Sequence, residues 1–226
     1  MTSARALVEQ ASAILLDFDG PVCSVFAGLP ANRVAVTMRA QLSALDPTFD
    51  LDVPSDDPLD VLRAARDHSS EAGTLAEELL RAAELDAVAL AEPTDGAREF
   101  LESMHERGTP LAIVSNNGEQ AIRTYLARHD LGEFVAVVSA RDPSDARLMK
   151  PHPLSLTVAL TALGIAPSAT VMIGDSISDV EAAGAIGVPV IALANKPTKV
   201  EVLVAARPQA VIESMSALVD APCNQA

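Results

Sequence analysis

The sequence predicts an α/β protein, a doubly wound parallel sheet core with a small all-helical module inserted after the first strand. Three observations point there. Short apolar runs end abruptly in polar residues. From about Leu111 onward such runs alternate with helical patterns. The stretch from about Ser24 to Ala91 carries helical spacing and no convincing strand.

The elements follow in order. Ala13-Ile14-Leu15-Leu16 runs into Asp17, and its unbroken apolar character suits a strand buried on both faces. In the insertion, Val34, Met38, Leu42 and Leu45 repeat at helical spacing. Asp46 to Pro58, rich in Asp and Pro, reads as loop. Asp57-Pro58 opens a second helix carrying Leu59 and Leu62, with proline at its first position. Thr74-Leu75-Ala76-Glu77 reads as a capping box that opens a third, with Leu79 one turn after Leu75.

Beyond the insertion, a helix over Asp95 to Arg107 presents Phe100, Leu101 and Met104 and stops at Gly108. Strands are expected at Pro110 to Val114, Phe134 to Val138, Thr170 to Ile173, Val188 to Leu193 and Ala210 to Ile212. Helices are expected at Glu119 to Arg128, Pro153 to Leu163, Asp179 to Ala185 and Met215 to Val219. Residues 1–23 and 92–226 would form the core domain and 24–91 the helical one.

Composition limits the function. The 226 residues are 49% hydrophobic and 21% charged, with only 3% aromatic, so Ala, Val and Leu must fill the core. A net charge of −15 without a basic cluster argues against nucleic acid. A small anion remains possible where a metal and a few cations reverse the local potential. No apolar run reaches the roughly 18 residues of a membrane span. Met1 to Gln10, with Arg5 and Glu9, lacks a signal-peptide core, so a cytoplasmic location without membrane attachment is expected. Cys23 and Cys223 form no metal-spacing motif and are expected as free thiols.

Ligands of parallel sheets bind beyond the carboxyl ends of the strands, and the polar residues cluster there. Asp17-Phe18-Asp19-Gly20 ends the first strand, Ser115-Asn116 the next, and Gly174-Asp175 a later one, with Asp179 just after. Several carboxylates in one small volume repel one another. Their joint ionisation needs a hard cation, and oxygen-only ligands favour Mg²⁺.

The constellation resembles the haloacid dehalogenase-like superfamily over the whole chain. Its D-x-D-G motif is matched by Asp17 to Gly20, its strand-closing Ser or Thr by Ser115 followed by Asn116, its lysine by Lys150-Pro151-His152-Pro153, and its G-D-x-x-x-D by Gly174 to Asp179. The insertion resembles the family's C1-type helical cap, as in the phosphoglycolate phosphatase-like and beta-phosphoglucomutase-like group. The resemblance implies a phosphatase in which Asp17 attacks phosphorus and Asp19 serves as general acid and base. It implies Mg²⁺ held by Asp17, the Asp19 backbone carbonyl, Asp175 and Asp179, the last directly or through water. Lys150, Ser115 and the backbone near Asn116 would bind the phosphoryl oxygens. Asp19 sets the reading apart from dehalogenase and phosphonatase members, which lack an acid there.

The implied partner is a small-molecule phosphate ester, and the assembly a monomer or homodimer. Two other readings stay open: a sugar-phosphate phosphomutase, and a catalytically idle binding or regulatory protein. Plainer roles also stand beside the chemical ones. Ser115 and Asn116 are placed to cap the helix after Gly118, Asp179 to favour a helix N-terminus, and His152 to sit in a loop. Pro21 to Phe26 departs from the family's usual continuation, so substrate identity does not carry over. Specificity is expected from the cap, with Asn32, Arg33, Arg39, Arg63, Arg66 and His68 as candidates, Arg33 and Arg39 foremost.

Overall fold

The computed structural model describes residues 3–49 and 56–219. Cys223 and residues 50–55 of the expected loop lie outside them. In chain order the elements are α1 (Ala4–Gln10), β1 (Ala13–Leu16), α2 (Ala31–Leu45), α3 (Pro58–His68), α4 (Ser70–Val88) and α5 (Ala97–Glu106). There follow β2 (Leu111–Val114), α6 (Glu119–Arg128), β3 (Val137–Ser139), α7 (Leu154–Leu163), β4 (Thr170–Gly174), α8 (Ile177–Ala185), β5 (Val190–Leu193), α9 (Val200–Ala205) and β6 (Ala210–Ile212).

All six strands are parallel, in the order β3-β2-β1-β4-β5-β6. The order reverses between β1 and β4, the crevice where ligands of such sheets bind. Leu16 is level with Ile113 on one side and Ile173 on the other, which brings Asp17, Val114 and Gly174 to the same height.

The apolar runs split between the two faces with period two. Ile14, Leu16, Ile113, Ile173 and Ile191 join one core with Phe100, Leu101 and Met104 of α5 and Ile122 and Tyr125 of α6. Leu15, Ala112, Val114, Met172 and Val190 join another with Leu156 and Ala159 of α7 and Val180 and Ala183 of α8. That two-sided burial is why the strands read as continuous apolar runs.

The insertion has its own core, where Val34, Met38 and Leu42 of α2 meet Val61, Leu62 and Ala65 of α3 and Ala72, Ala76 and Leu80 of α4. The last turn of α4 does not belong there; Ala87 and Val88 pack into the sheet-side core. The connections in and out of the insertion run side by side. Cys23 bridges Pro93, and Thr94 N–H donates to Val22 O at 3.0 Å. Cys23 is a buried free cysteine in this crossing, and burial pushes its thiol pKa up. No helix among the described residues is long and apolar enough to cross a membrane.

Several expectations need correction. The third insertion helix opens at Ser70, not at Thr74, because the Ser69 hydroxyl accepts from Ala72 N–H at 3.1 Å one turn earlier. Thr74 sits inside that helix and donates to Ser70 O at 2.8 Å. The strand expected from Phe134 begins at Val137, since Gly132–Phe134 forms a single 3-10 turn. Met215–Leu218 is likewise a 3-10 turn, not an α-helix. The short helices α1 and α9 each make fewer than two turns, too few for an apolar stripe to repeat in the sequence.

Candidate active site

Asp17 leaves the end of β1 buried, with its N–H on Ile173 O at 2.9 Å and its Oδ1 accepting from Phe18 N–H at 2.7 Å. Asp19 sits in the turn that follows, where Val25 N–H donates to its Oδ1 at 2.9 Å. Gly20 occupies φ +108°, and a Cβ there would fall 2.4 Å from the Asp175 carboxylate. A Cβ on Gly174 would sit equally close to Asp179. Gly20 therefore makes room for a carboxylate of the other motif, and Gly174 for the last carboxylate of its own.

Lys150 is 2% exposed and spends all three protons inside the site. Its Nζ donates to Val114 O at 2.9 Å and lies 2.8 Å from Asp17 Oδ1 and 2.6 Å from Asp179 Oδ1. Burial works to lower its pKa, but Asp17 and Asp179 outweigh burial and push it up. Asn116 holds the lysine in place. Its Oδ1 accepts from Lys150 N–H at 2.8 Å and its Nδ2 donates to Lys150 O at 3.1 Å. The Asn116 side chain is thus committed to the lysine, which leaves its backbone for a ligand.

Ser115 follows β2 directly, 1% exposed, and its hydroxyl donates to Asn117 Oδ1 at 3.0 Å. Neither Ser115 nor Asn116 caps α6, whose N-cap is Gly118 without a side-chain bond. Asp179 opens α8 in a capping box with Ser176. Its Oδ2 accepts from Ser176 N–H at 3.0 Å and Oγ at 2.7 Å, while Oδ1 faces Lys150. Its helix-start role and its site role coexist. Asp175 is paired with Lys199, whose Nζ also donates to Asp175 O at 3.1 Å.

One carboxylate oxygen each from Asp17, Asp175 and Asp179 falls within 4.8 Å of the others. The Asp19 carboxylate is not in that group. Burial raises Asp17, helped by Asp179 and Asp175 and opposed by Lys150. Burial also raises Asp175, with Lys199 opposing, and lifts Asp19 to about 6 against its bond from Val25. Four carboxylates face the two ammoniums of Lys150 and Lys199, which leaves two negative charges. An all-oxygen donor set with that residual charge fits a hard divalent cation such as Mg²⁺.

A cavity of about 840 Å³ opens over these groups. Asp17, Asp19, Ser115, Asn116, Lys150 and Asp175 line its floor. Phe26, Asp57, Leu59, Arg63, Leu80 and Glu84 line it from the insertion side. Arg33 and Arg39 do not line it, and for Arg33 the cause is plain. Val34, Met38 and Leu42 turn α2 inward to α3 and α4, so Arg33 on the other face is exposed. Asn32 is exposed as well. Arg66 donates to Pro143 O, and His68 pairs with Asp46 at 2.9 Å, both away from the cavity. Arg63 alone of the candidate cap cations reaches it, donating to Asp60 at 2.8 Å and to Lys150 O at 3.4 Å. His152 stays in its loop, its Nδ1 accepting from Leu154 N–H at 3.2 Å.

Lys199, Glu84, Asn117 and Arg141 escaped the sequence reading. The rule that selects Asp175, polar residues beyond a strand's carboxyl end, also selects the segment from Asn195 to Lys199 after β5. Glu84 continues the apolar spacing of Ala76 and Leu80, and a charge on a buried face is itself a signal. Arg141 carried no local signal.

The family model for haloacid dehalogenase-like hydrolases matches residues 51–193. The phosphoglycolate phosphatase of Escherichia coli (strain K12) is 29% identical over 123 residues, 54% of this chain and 48% of that protein. The chain thus aligns with about half the length of that relative. The phosphoglycolate phosphatase of Salmonella typhi is 27% identical over 191 residues, 84% of this chain and 69% of that protein. A predicted phosphatase from Clostridium acetobutylicum shares the fold with a TM-score of 0.73 at 18% identity, over 92% of this chain and 96% of that one. With the sheet order, the cavity and this match in hand, the chain belongs to the haloacid dehalogenase-like hydrolase family.

Proposed function

We propose that the chain is a Mg²⁺-dependent phosphomonoester hydrolase acting on a small phosphorylated metabolite in a cytoplasmic setting. In this reading residues 1–23 and 92–226 carry the chemistry and 24–91 form the cap. The observation that carries the reading is that Asp17 and Asp19 line one cavity with Ser115 and Lys150, beside an all-oxygen cluster. Relatives named phosphoglycolate phosphatase support the phosphate-ester class.

A carboxylate oxygen of Asp17 attacks phosphorus and the bond from phosphorus to the ester oxygen breaks. Asp19, lifted to about 6, gives its proton to that leaving oxygen. The Asp19 carboxylate then takes a proton from water, whose oxygen attacks phosphorus and releases inorganic phosphate and free Asp17. Lys150 holds Asp17 in line and offsets its charge against the incoming anion. Ser115 and the backbone near Asn116 would supply donors for the phosphoryl oxygens. Asp17, Asp175 and Asp179 would hold the Mg²⁺, with the Asp19 carbonyl, and the bound ion would neutralise phosphoryl charge.

The test is turnover of p-nitrophenyl phosphate with Mg²⁺. Asp17→Asn is expected to lower kcat by about 10⁴-fold or more. Acid-quenched wild-type protein should carry a phosphoryl group on the Asp17 peptide by mass spectrometry. Turnover that survives Asp17→Asn would remove the covalent mechanism.

A further inference from the structure

A second buried charge network lies beside the phosphate site and takes no part in the chemistry above. Glu84 of α4 is wholly buried, and Arg141, just after β3, nearly so. The Arg141 guanidinium forks onto the Glu84 carboxylate, Nη1 to Oε1 at 2.8 Å and Nη2 to Oε2 at 3.1 Å. It also meets Glu77, two turns earlier on α4, with Nη2 to Oε1 at 2.9 Å and Nε to Oε2 at 3.1 Å and Oε1 at 3.3 Å. Buried charges persist only where their bonding is complete, and the remaining bonds all go to one place. Glu84 Oε1 accepts from Asn117 Nδ2 at 3.2 Å, and Oε2 from Gly118 N–H at 3.0 Å. Arg141 Nη1 donates to Asn116 O at 2.6 Å. Asn117 in turn accepts from the Ser115 hydroxyl and donates its own N–H to Ser115 Oγ at 3.2 Å.

We propose that Glu84 is a positioning residue through which the helical insertion sets the conformation of the phosphate-binding loop, Ser115 to Gly118. Glu84 fixes the far end of that loop, Asn117 by its side chain and Gly118 by its amide, and Asn117 passes the constraint back to Ser115. Arg141 cancels the charge, so the carboxylate can line the cavity without repelling an anion. The phosphate site is then assembled from both modules, and donors held before the ligand arrives need no reorganisation when it does. Glu77 touches Arg141 but not the loop, and this separates a loop-setting role from a brace that only stabilises the junction.

The consequence and its inhibition assay rest on the hydrolase reading, but the exchange comparison does not. Glu84→Gln and Glu77→Gln are compared by amide hydrogen exchange over residues 115–118 and by competitive inhibition with inorganic phosphate. Glu84→Gln is expected to speed exchange there about tenfold or more, as for loss of a charge-assisted bond, and to weaken phosphate inhibition by a similar factor. Glu77→Gln is expected to change neither by more than about twofold. Equal effects of the two variants, or an unchanged loop in Glu84→Gln, would overturn the proposal. Should Glu84→Gln fail to fold, Asn117→Ala cuts the same relay without leaving a buried charge; unchanged exchange at Ser115 in that variant would overturn it too. Absence of wild-type turnover would defeat the hydrolase reading, while the exchange comparison would still decide the role of Glu84.

Discussion

The floor and the roof of the cavity are built on different principles. On the floor the central charges are buried and committed: Lys150 has three acceptors, Asp179 is bonded on both oxygens, and Asn116 grips the lysine backbone. On the roof Asp57, Leu59, Arg63 and Phe26 offer mixed chemistry, and Arg63 is a third exposed. A crowded floor of paired charges suits one invariant group, a phosphoryl in the function proposed above. A sparse roof leaves room for discrimination between the groups attached to it.

Lys150→Met tests that contrast most severely. It strands two buried carboxylates, and loss of one partner from such a pair costs about 3–5 kcal/mol. Urea unfolding should show a loss of that size, with turnover falling alongside. Arg63→Met, in a half-exposed pair with Asp60, should cost under about 1 kcal/mol. Comparable losses from the two variants would erase the distinction between floor and roof.

Arg63 sharpens the contrast from the other side. It is the cap cation that lines the cavity among the described residues. Arg63→Ala is expected to raise KM for the physiological ester by about tenfold, the scale of a charge-assisted bond, with kcat for p-nitrophenyl phosphate nearly unchanged. Steady-state kinetics on both esters decides. A matching fall in kcat on both would move Arg63 from the roof to the floor.

The smallest effect is a pH dependence. Burial raises Asp19 from 3.8 to about 6, so the folded chain keeps a proton that the unfolded chain has released. The stability tied to that proton is complete below the unfolded value and gone once the pH has risen through about 6. In metal-free protein Asp19→Asn removes the cost of the charged form. Its Tm should exceed that of the wild type by about 2–4 °C at about pH 8, and the gap should close toward about pH 4. A gap of the opposite sign at high pH would mean that the ionised carboxylate is stabilising.

Much of this was legible in the residue order, for local reasons. Strand runs such as Ala13 to Leu16 and Leu111 to Val114 announce themselves because both faces are buried, so no polar residue interrupts them. Pro58 at a helix start and Gly108 at a helix end act through one residue's backbone, and both behave as read. Asp17, Asp175 and Asp179 were recognisable because strand ends are where a parallel sheet exposes its ligand side. Thr74 misled because a capping pattern is as local as the Ser69 cap that overruled it, and packing of Ala72 and Ala76 chose between them.

What the linear chain determined was therefore the sheet, the inserted helices and the carboxylate floor, all set by periodicity and strand-end chemistry within a few residues. Which side chains close the cavity was decided only in three dimensions. The inward face of α2 turns Arg33 to solvent, while α3 delivers Arg63. Glu84, Asn117 and Arg141 lie on three separate segments, and Lys199 meets Asp175 across two strands. Such meetings depend on helix orientation and sheet order, quantities that no spacing within one segment encodes.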